Sequence, residues 1–384
     1  MNLFLDVYPL SVHQTNSALE YIYKSTHDHG GDGIWSPHES LLIRRLVELF
    51  TRRGLDRLEH VKQQILAWEA GEHHRAGGPV VTAPGMMERW SESELALVKL
   101  YLESLPPSQW SLDDHMMAVD YVVQRYLPAD ELQTEAEWLS TRAGLMGKVQ
   151  ANMAATATPA MADKILAALP STVQAAASQF SLKAQEKAVL DFARVRTAEN
   201  VRALTESVRH QLRGVVVQHL ADQQTKVPGT PGEALQTKLL DTFASLNRDW
   251  RRIAVTEAGE AQTQGYVASL QPGAKVKRIE QYPNACHFCK KIHGVVATVV
   301  SPDHPDKDPH TMIWPGKNNI GRSASPRKRV GNELVPRTPD EMWWLPAGLA
   351  HPHCRGRWVP AEIEEQPGDD PDFAEWLKKT LSSE

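Results

Sequence analysis

The chain has 384 residues, 41% hydrophobic and 23% charged, with a net charge of -5 at pH 7. That length exceeds one simple core and predicts two or three domains. The acidic balance excludes a global attraction to nucleic acid, so any basic surface must be local. No stretch is long and apolar enough to span a bilayer, so no membrane segment is expected. The first residues lack a basic start and are broken by Asp6 and Pro9, unlike a signal peptide. Three cysteines, an odd count, argue for a reducing cytosol over a secreted disulfide framework.

In chain order, the first half reads as helices. "SPHESLLIRRLVELF" opens one, with Ser36 as cap, Pro37 at the first helical position and Glu39 three residues after the cap. Its apolar spacing continues through Leu55, Leu58, Val61, Ile65 and Leu66, with Gly54 a candidate interruption. "GEHHRAGGPVVTAPG" is a linker in which His73 and His74 are more plausibly loop residues than ligands. A second helix starts at "SESELALVKLYLESL" with a capping box of Ser91 and Glu94. A third, "DDHMMAVDYVVQRYL", stops at Pro128.

Helix resumes from "ELQTEAEW", with a candidate hinge in the small residues 154–160. Trp90, Trp110 and Trp138 suit either packing anchors or a partner surface. Residues 171–225 read as one long helix, with Val201, Leu204, Val208, Leu212, Val215 and Val216 on its apolar face. After "KVPGTPGE", Leu235, Leu239, Leu240, Phe243, Leu246 and Trp250 mark another helix, which "QPG" ends. From 274 onward the character changes. "AKVKRIEQY", "GVVATVVS" and "GRWVP" are short β-type runs among many Pro, Gly, His and Asp residues. So loop-rich a segment struggles to build its own core and needs a staple.

The cysteines supply one. Cys286 and Cys289 form C-x2-C, a spacing that lets two thiolates reach one tetrahedral ion from a tight turn. His351 and Cys354 form a second half-site. A structural Zn2+ bound by Cys286, Cys289, His351 and Cys354 would tie the start of the domain to its end. His353 is the alternative to His351, and His287 and His293 also compete. With four protein ligands the ion holds shape and has no open position for catalysis.

The same residues carry a likeness. "CHFCKKIHG" followed by "HPHCRG" resembles the C-terminal motif pair of the phage Mu F-like and SPP1-type head morphogenesis proteins, a family of minor head proteins. That pattern is C-x2-C, a Gly five residues on, then H-P-x-C-R-C. Cys286, Cys289 and Gly294 match its first part, and His351, Pro352, Cys354 and Arg355 its second. Gly356 stands where the family usually has another Cys. Upstream, "RTAENVRALTESVRHQLRGVV" is similar to the family's long helix. "RRIAVTEAGEAQTQGY" is similar to its R-x-I-A-x-T-E helix, with Arg252, Ile253, Ala254, Thr256 and Glu257 in place. The likeness covers roughly 185–358 and not the first 160 residues. It implies a minor structural component of a tailed-phage virion, in the head near the portal vertex and in the host cytoplasm before assembly. Its partners would be the portal or major capsid protein, and some relatives travel with packaged DNA at ejection.

Three further stretches invite chemistry. Arg252, Thr256 and Glu257 could belong to an ADP-ribosyltransferase-like or toxin-like effector. No Gly-rich phosphate loop accompanies them, so structural ion pairing is preferred and no enzyme is expected. "GRSASPRKR" offers Arg322, Arg327, Lys328 and Arg329 to DNA phosphates, as in a DNA-contacting ejection protein, against the simpler reading of a solvated loop. "SPDHPDKDPH" mixes carboxylates and imidazoles but reads as a polar loop. The acidic tail ends in a short helix whose Phe373, Trp376, Leu377 and Leu381 suit docking on a partner or on the chain itself.

The expected architecture is α+β and predominantly α-helical: long helices followed by a small loop-rich, zinc-stapled C-terminal domain with short strands. Residues 1–160 form a helical region, 161–271 a long-helix region, 272–362 the zinc-stapled domain and 363–384 the acidic tail.

Overall fold

This computed structural model describes residues 40–382 except 79–80, 83, 86, 88, 154–156, 226–233, 281, 283–284, 353 and 362–369. The helix start read at Ser36, Pro37 and Glu39, the alternative ligand His353 and part of the candidate hinge lie outside the described residues.

The protein is mostly helical, with its strands confined to the C-terminal region. Helix α1 (Leu41–Glu69) runs through Gly54 without a break. Gly54 is a close approach: a Cβ there would run into the Trp250 ring. Helix α2 (Glu92–Ser104) opens with the expected box, Ser91 N donating to Glu94 Oε2 at 2.7 Å. Helix α3 (Leu112–Tyr126) opens with a second box, from Ser111 and Asp114. Then come α4 (Ala129–Ala151), α5 (Pro159–Ala168) and α6 (Val173–Gln179).

The single long helix read over 171–225 is in fact two elements, α6 and α7 (Ala184–Gln224). Phe180 leaves the helical path to pack on aromatic residues near the chain's end. Glu186 then restarts the helix by accepting from Lys183 N at 2.9 Å. Helix α8 (Leu235–Ala268) follows, and it packs against α1, α4 and α7. Leu239, Phe243, Leu246 and Trp250 are buried as the spacing requires, but Leu240 points outward. Helices α4 and α8 cross with their backbones touching. A Cβ on Gly147 would meet Gln262 O, and one on Gly265 would meet Gly144 O.

One continuous core runs from Leu42 through Trp250 to Phe373 and Leu377. Residue 160, read as a boundary, falls in the first turn of α5, and one core spans both sides of it. The tail helix, α10 (Pro371–Ser382), packs on the chain itself, with Phe373 and Trp376 at 4.9 and 5.0 Å from Phe180 between ring centroids. Buried Lys148 ties this corner together, reaching Glu186 at 2.9 Å and Asp370 at 2.6 Å. Trp90 and Trp110 are buried packing anchors, and Trp138 is partly buried beneath Arg53 and Arg142.

The C-terminal region adds β1 (Lys275–Ile279), α9 (His287–Ile292), β2 (Val296–Val299), β3 (Met312–Ile313), β4 (Arg327–Val330), β5 (Glu333–Pro336) and β6 (Arg357–Pro360). The three β-type runs of the sequence become neighbours in one sheet, ordered β3-β2-β1-β6. β1 is antiparallel to both β2 and β6, and β2 is parallel to β3. "GRSASPRKR", read as a loop, instead leads into the β4–β5 hairpin. The region has a small core of Val276, Ala297, Ile313 and Trp358, completed by Tyr266, Val267 and Leu270 at the end of α8.

Candidate metal centre

Antiparallel pairing of β1 with β6 creates the site. Ile279 at the end of β1 lies opposite Arg357 at the start of β6. The chain just after β1 therefore meets the chain just before β6, and the two cysteine motifs face each other. C-x2-C is the start of α9. Cys286 is its N-cap, and its Sγ accepts from Cys289 N at 3.4 Å. Gly294, two residues past the helix, has φ +81°, a left-handed turn that glycine adopts without strain. Its N–H returns to Arg278 O at 2.8 Å, pinning α9 to β1.

The thiols and imidazole converge. His351 Nε2 lies 3.2 Å from Cys286 Sγ and 3.2 Å from Cys289 Sγ. Cys289 Sγ lies 3.7 Å from Cys354 Sγ. His351 Nδ1 donates to Pro352 O at 2.7 Å, which leaves Nε2 as the free lone pair a metal needs. The ring is further fixed by stacking on Trp343 at 5.3 Å.

This cluster can hold a metal ion. The ligand atoms of Cys286, Cys289 and His351 lie within 4.8 Å of one another, and so do those of Glu280, Cys289 and Cys354. Cys289 belongs to both groups and links Cys354 to the other two ligands. The spacings suit a small tetrahedral ion: zinc–thiolate bonds of about 2.3 Å place two sulfurs about 3.8 Å apart.

Behind Cys354 stands a pair the motifs did not announce. Arg278 is fully buried, donating to Glu280 Oε1 at 2.9 Å and Gly348 O at 2.9 Å, with Nη2 at 3.5 Å from Cys354 Sγ. Cys289 hydrogen bonding and the Arg278 guanidinium, against the opposing effect of burial, hold Cys354 well below the ordinary thiol range. Burial pushes Glu280 up to about 7 despite Arg278. The guanidinium touches both Glu280 and Cys354, and the Cys354 thiol itself lies 3.5 Å from Glu280 Oε1. Gly356 follows from the same pair. A Cβ there would run into Glu280 and Arg278, so the extra cysteine of the family pattern has no room.

A signal for Arg278 and Glu280 was present. In strand alternation they share a face with buried Val276, and a charged pair on a buried face needs a reason.

The other sequence candidates lie elsewhere. His287 and His293 are exposed, and His293 Nδ1 accepts from Glu280 N at 3.0 Å. His74 contacts Glu103 O at 3.2 Å, and His73 packs on Trp68. In "SPDHPDKDPH", Asp308 accepts from His310 N at 2.9 Å and Thr311 Oγ1 at 2.5 Å, forming a turn. Among the described residues no metal-ligand group falls in that stretch.

The four candidate DNA contacts divide. Arg322 lies 3.6 Å from the Trp344 ring and donates to Met342 O at 3.1 Å, and Lys328 pairs with Glu341. Arg327 and Arg329 are exposed on β4. Glu257 is buried and accepts from Asn200 at 2.9 Å and Arg196 at 3.2 Å, while Arg252 lies 3.5 Å from Asp249. No helix among the described residues is long and apolar enough to cross a membrane.

No family model matches the chain, and no curated protein or solved structure matches it either.

Proposed function

We propose that this chain is a minor structural protein of a tailed-phage head, acting in head morphogenesis at the portal vertex or inner capsid, with a zinc ion stapling its C-terminal domain. One observation carries the reading. The two motifs that resemble the minor head proteins, separate in sequence, form a single cluster of Cys286, Cys289, His351 and Cys354. Three thiols and an imidazole favour zinc over the oxygen-preferring ions. Zinc there would join the start of β1's following loop to the start of β6. Its role is to hold shape, and the partners are the portal or the major capsid protein.

The reading is tested by counting this chain against the portal protein in purified virions by quantitative mass spectrometry. A low, fixed ratio is expected. Absence from the particle overturns the head-protein reading. Saturable binding of NAD would revive the effector alternative in its place. Zinc is tested separately, by elemental analysis of the purified chain, with about one equivalent expected for one tetrahedral site.

A further inference from the structure

One opening has carboxylates on its floor and the metal-ligand candidate His351 on its wall. It is a cleft of about 840 Å³ between α7 and α8 on one side and the C-terminal region on the other. A second cavity of about 280 Å³ continues it, sharing Phe192, Arg196, Glu257, Glu260 and Asn318. That size suits a short peptide segment or a small molecule.

Its walls are apolar and open. Phe192 and Val195 on α7 are each 47% exposed, and Ile320 on the opposite wall is 58% exposed. Three large apolar side chains on one cleft are an unpaid hydration cost that an occupant would relieve. The far wall includes Trp343 and His351, so the metal centre buttresses it.

The charges are uneven. Arg252 is engaged by Asp249, and Arg322 by the Trp344 ring and Met342 O. Arg196, Arg252 and Arg322 stand against Glu199, Asp249, Glu257 and Glu260 on the lining, which leaves one carboxylate in excess. Arg196 lies 3.2 Å from Glu257 and 3.6 Å from Glu260, so one guanidinium serves two buried carboxylates. Glu260 also accepts from Leu349 N at 2.5 Å, which fixes it in place. A rigid floor short of one positive charge, between apolar walls, selects a cation carried between apolar groups.

We propose that this cleft is a docking site for a peptide segment of a partner protein, one that sets a Lys or Arg side chain between apolar residues. The apolar neighbours cover Phe192, Val195 and Ile320, and the cation reaches the Glu257–Glu260 floor. This goes beyond the head-protein reading and does not depend on it, since it is tested on the isolated chain.

The test is a randomised hexapeptide library with capped ends, selected on the full-length, metal-loaded chain. Selection of Lys or Arg at one position, flanked by apolar residues, is expected at about tenfold over the unselected library. Phe192→Ser with Ile320→Ser, both exposed and so safe for folding, should abolish the apolar selection. Glu199→Gln with Glu257→Gln should reduce the basic preference while the apolar one remains. No basic preference, a preference for acidic residues, or selection indifferent to the Phe192→Ser pair overturns the proposal. A concentration-dependent dimer in sedimentation that Phe192→Ser dissociates assigns the cleft to a second copy, and also overturns it.

Discussion

The helical body buries large apolar side chains in a row along α8, with Leu239, Phe243, Leu246 and Trp250 facing α1, α4 and α7. The C-terminal region buries far fewer, and sets a charged pair and thiols beside Trp358. The body is held by apolar area and by backbones in contact at Gly147 and Gly265. The C-terminal region has strands of two to five residues and long connections, so apolar area alone leaves it marginal. Its thiols and His351 offer a bond that loops cannot supply. Among the described residues, the side chains that could hold an ion gather in the region with the smaller core.

The largest expected effect breaks or sharpens that contrast directly. Cys289→Ser, or chelation, should release the metal and unfold the C-terminal region while leaving the helices. Zinc contributes on the order of 10 kcal/mol in small structural sites. Circular dichroism should retain most of its helical signal, while fluorescence reports exposure of the Trp358 environment, fully buried in the fold. Joint melting of the helices would show one cooperative unit and end the contrast.

A smaller effect belongs to the body. Phe373→Ala should cost about 3–5 kcal/mol at the α10 contact, since it removes an aromatic ring packed on Phe180 and beneath Lys148. Hydrogen exchange across 371–382 should rise while metal content stays unchanged. A loss of metal in this variant would mean that α10 also supports the C-terminal region.

Smaller again is a pH effect at Glu257. Burial, only partly opposed by Arg196, pushes this carboxyl above the usual carboxylate range. The folded state then holds its proton to higher pH than the unfolded state does. The stability this group contributes is therefore complete below the unfolded value and is lost as pH rises through the folded one. Denaturant titrations of the body from pH 4 upward should show a shallower decline in Glu257→Gln than in the parent. An identical decline in both would remove Glu257 as the source.

The smallest stability effect is on the surface. Replacing Arg327 and Arg329 by Gln should change stability by less than about 0.5 kcal/mol, because both side chains are exposed. The same variant examines the DNA alternative. If the hairpin contacts phosphates, the slope of log affinity against log salt should flatten by roughly 2. An unchanged slope excludes these two residues as contacts.

The helices were legible because their signals are local. The capping box at Ser91 and Glu94 and the apolar spacing from Leu235 to Trp250 work over one or two turns, and the fold obeys them. The break at Phe180 was not legible, since that ring leaves the helix for Phe373, far along the chain. The β4–β5 hairpin was hidden by charge: "RKRV" reads as solvated loop, and cross-strand pairing alone makes it a strand.

At the metal centre, spacing within "CHFCKKIHG" and "HPHCRG" determined which side chains could share an ion, because ligands two or three residues apart reach a common point whatever surrounds them. Only the tertiary structure decided that the two motifs meet, through the antiparallel pairing of β1 with β6. It also decided that Arg278 and Glu280 stand behind Cys354 and deny Gly356 a side chain. Local stereochemistry is written in neighbouring residues. Which distant groups become neighbours depends on the packing of the whole chain.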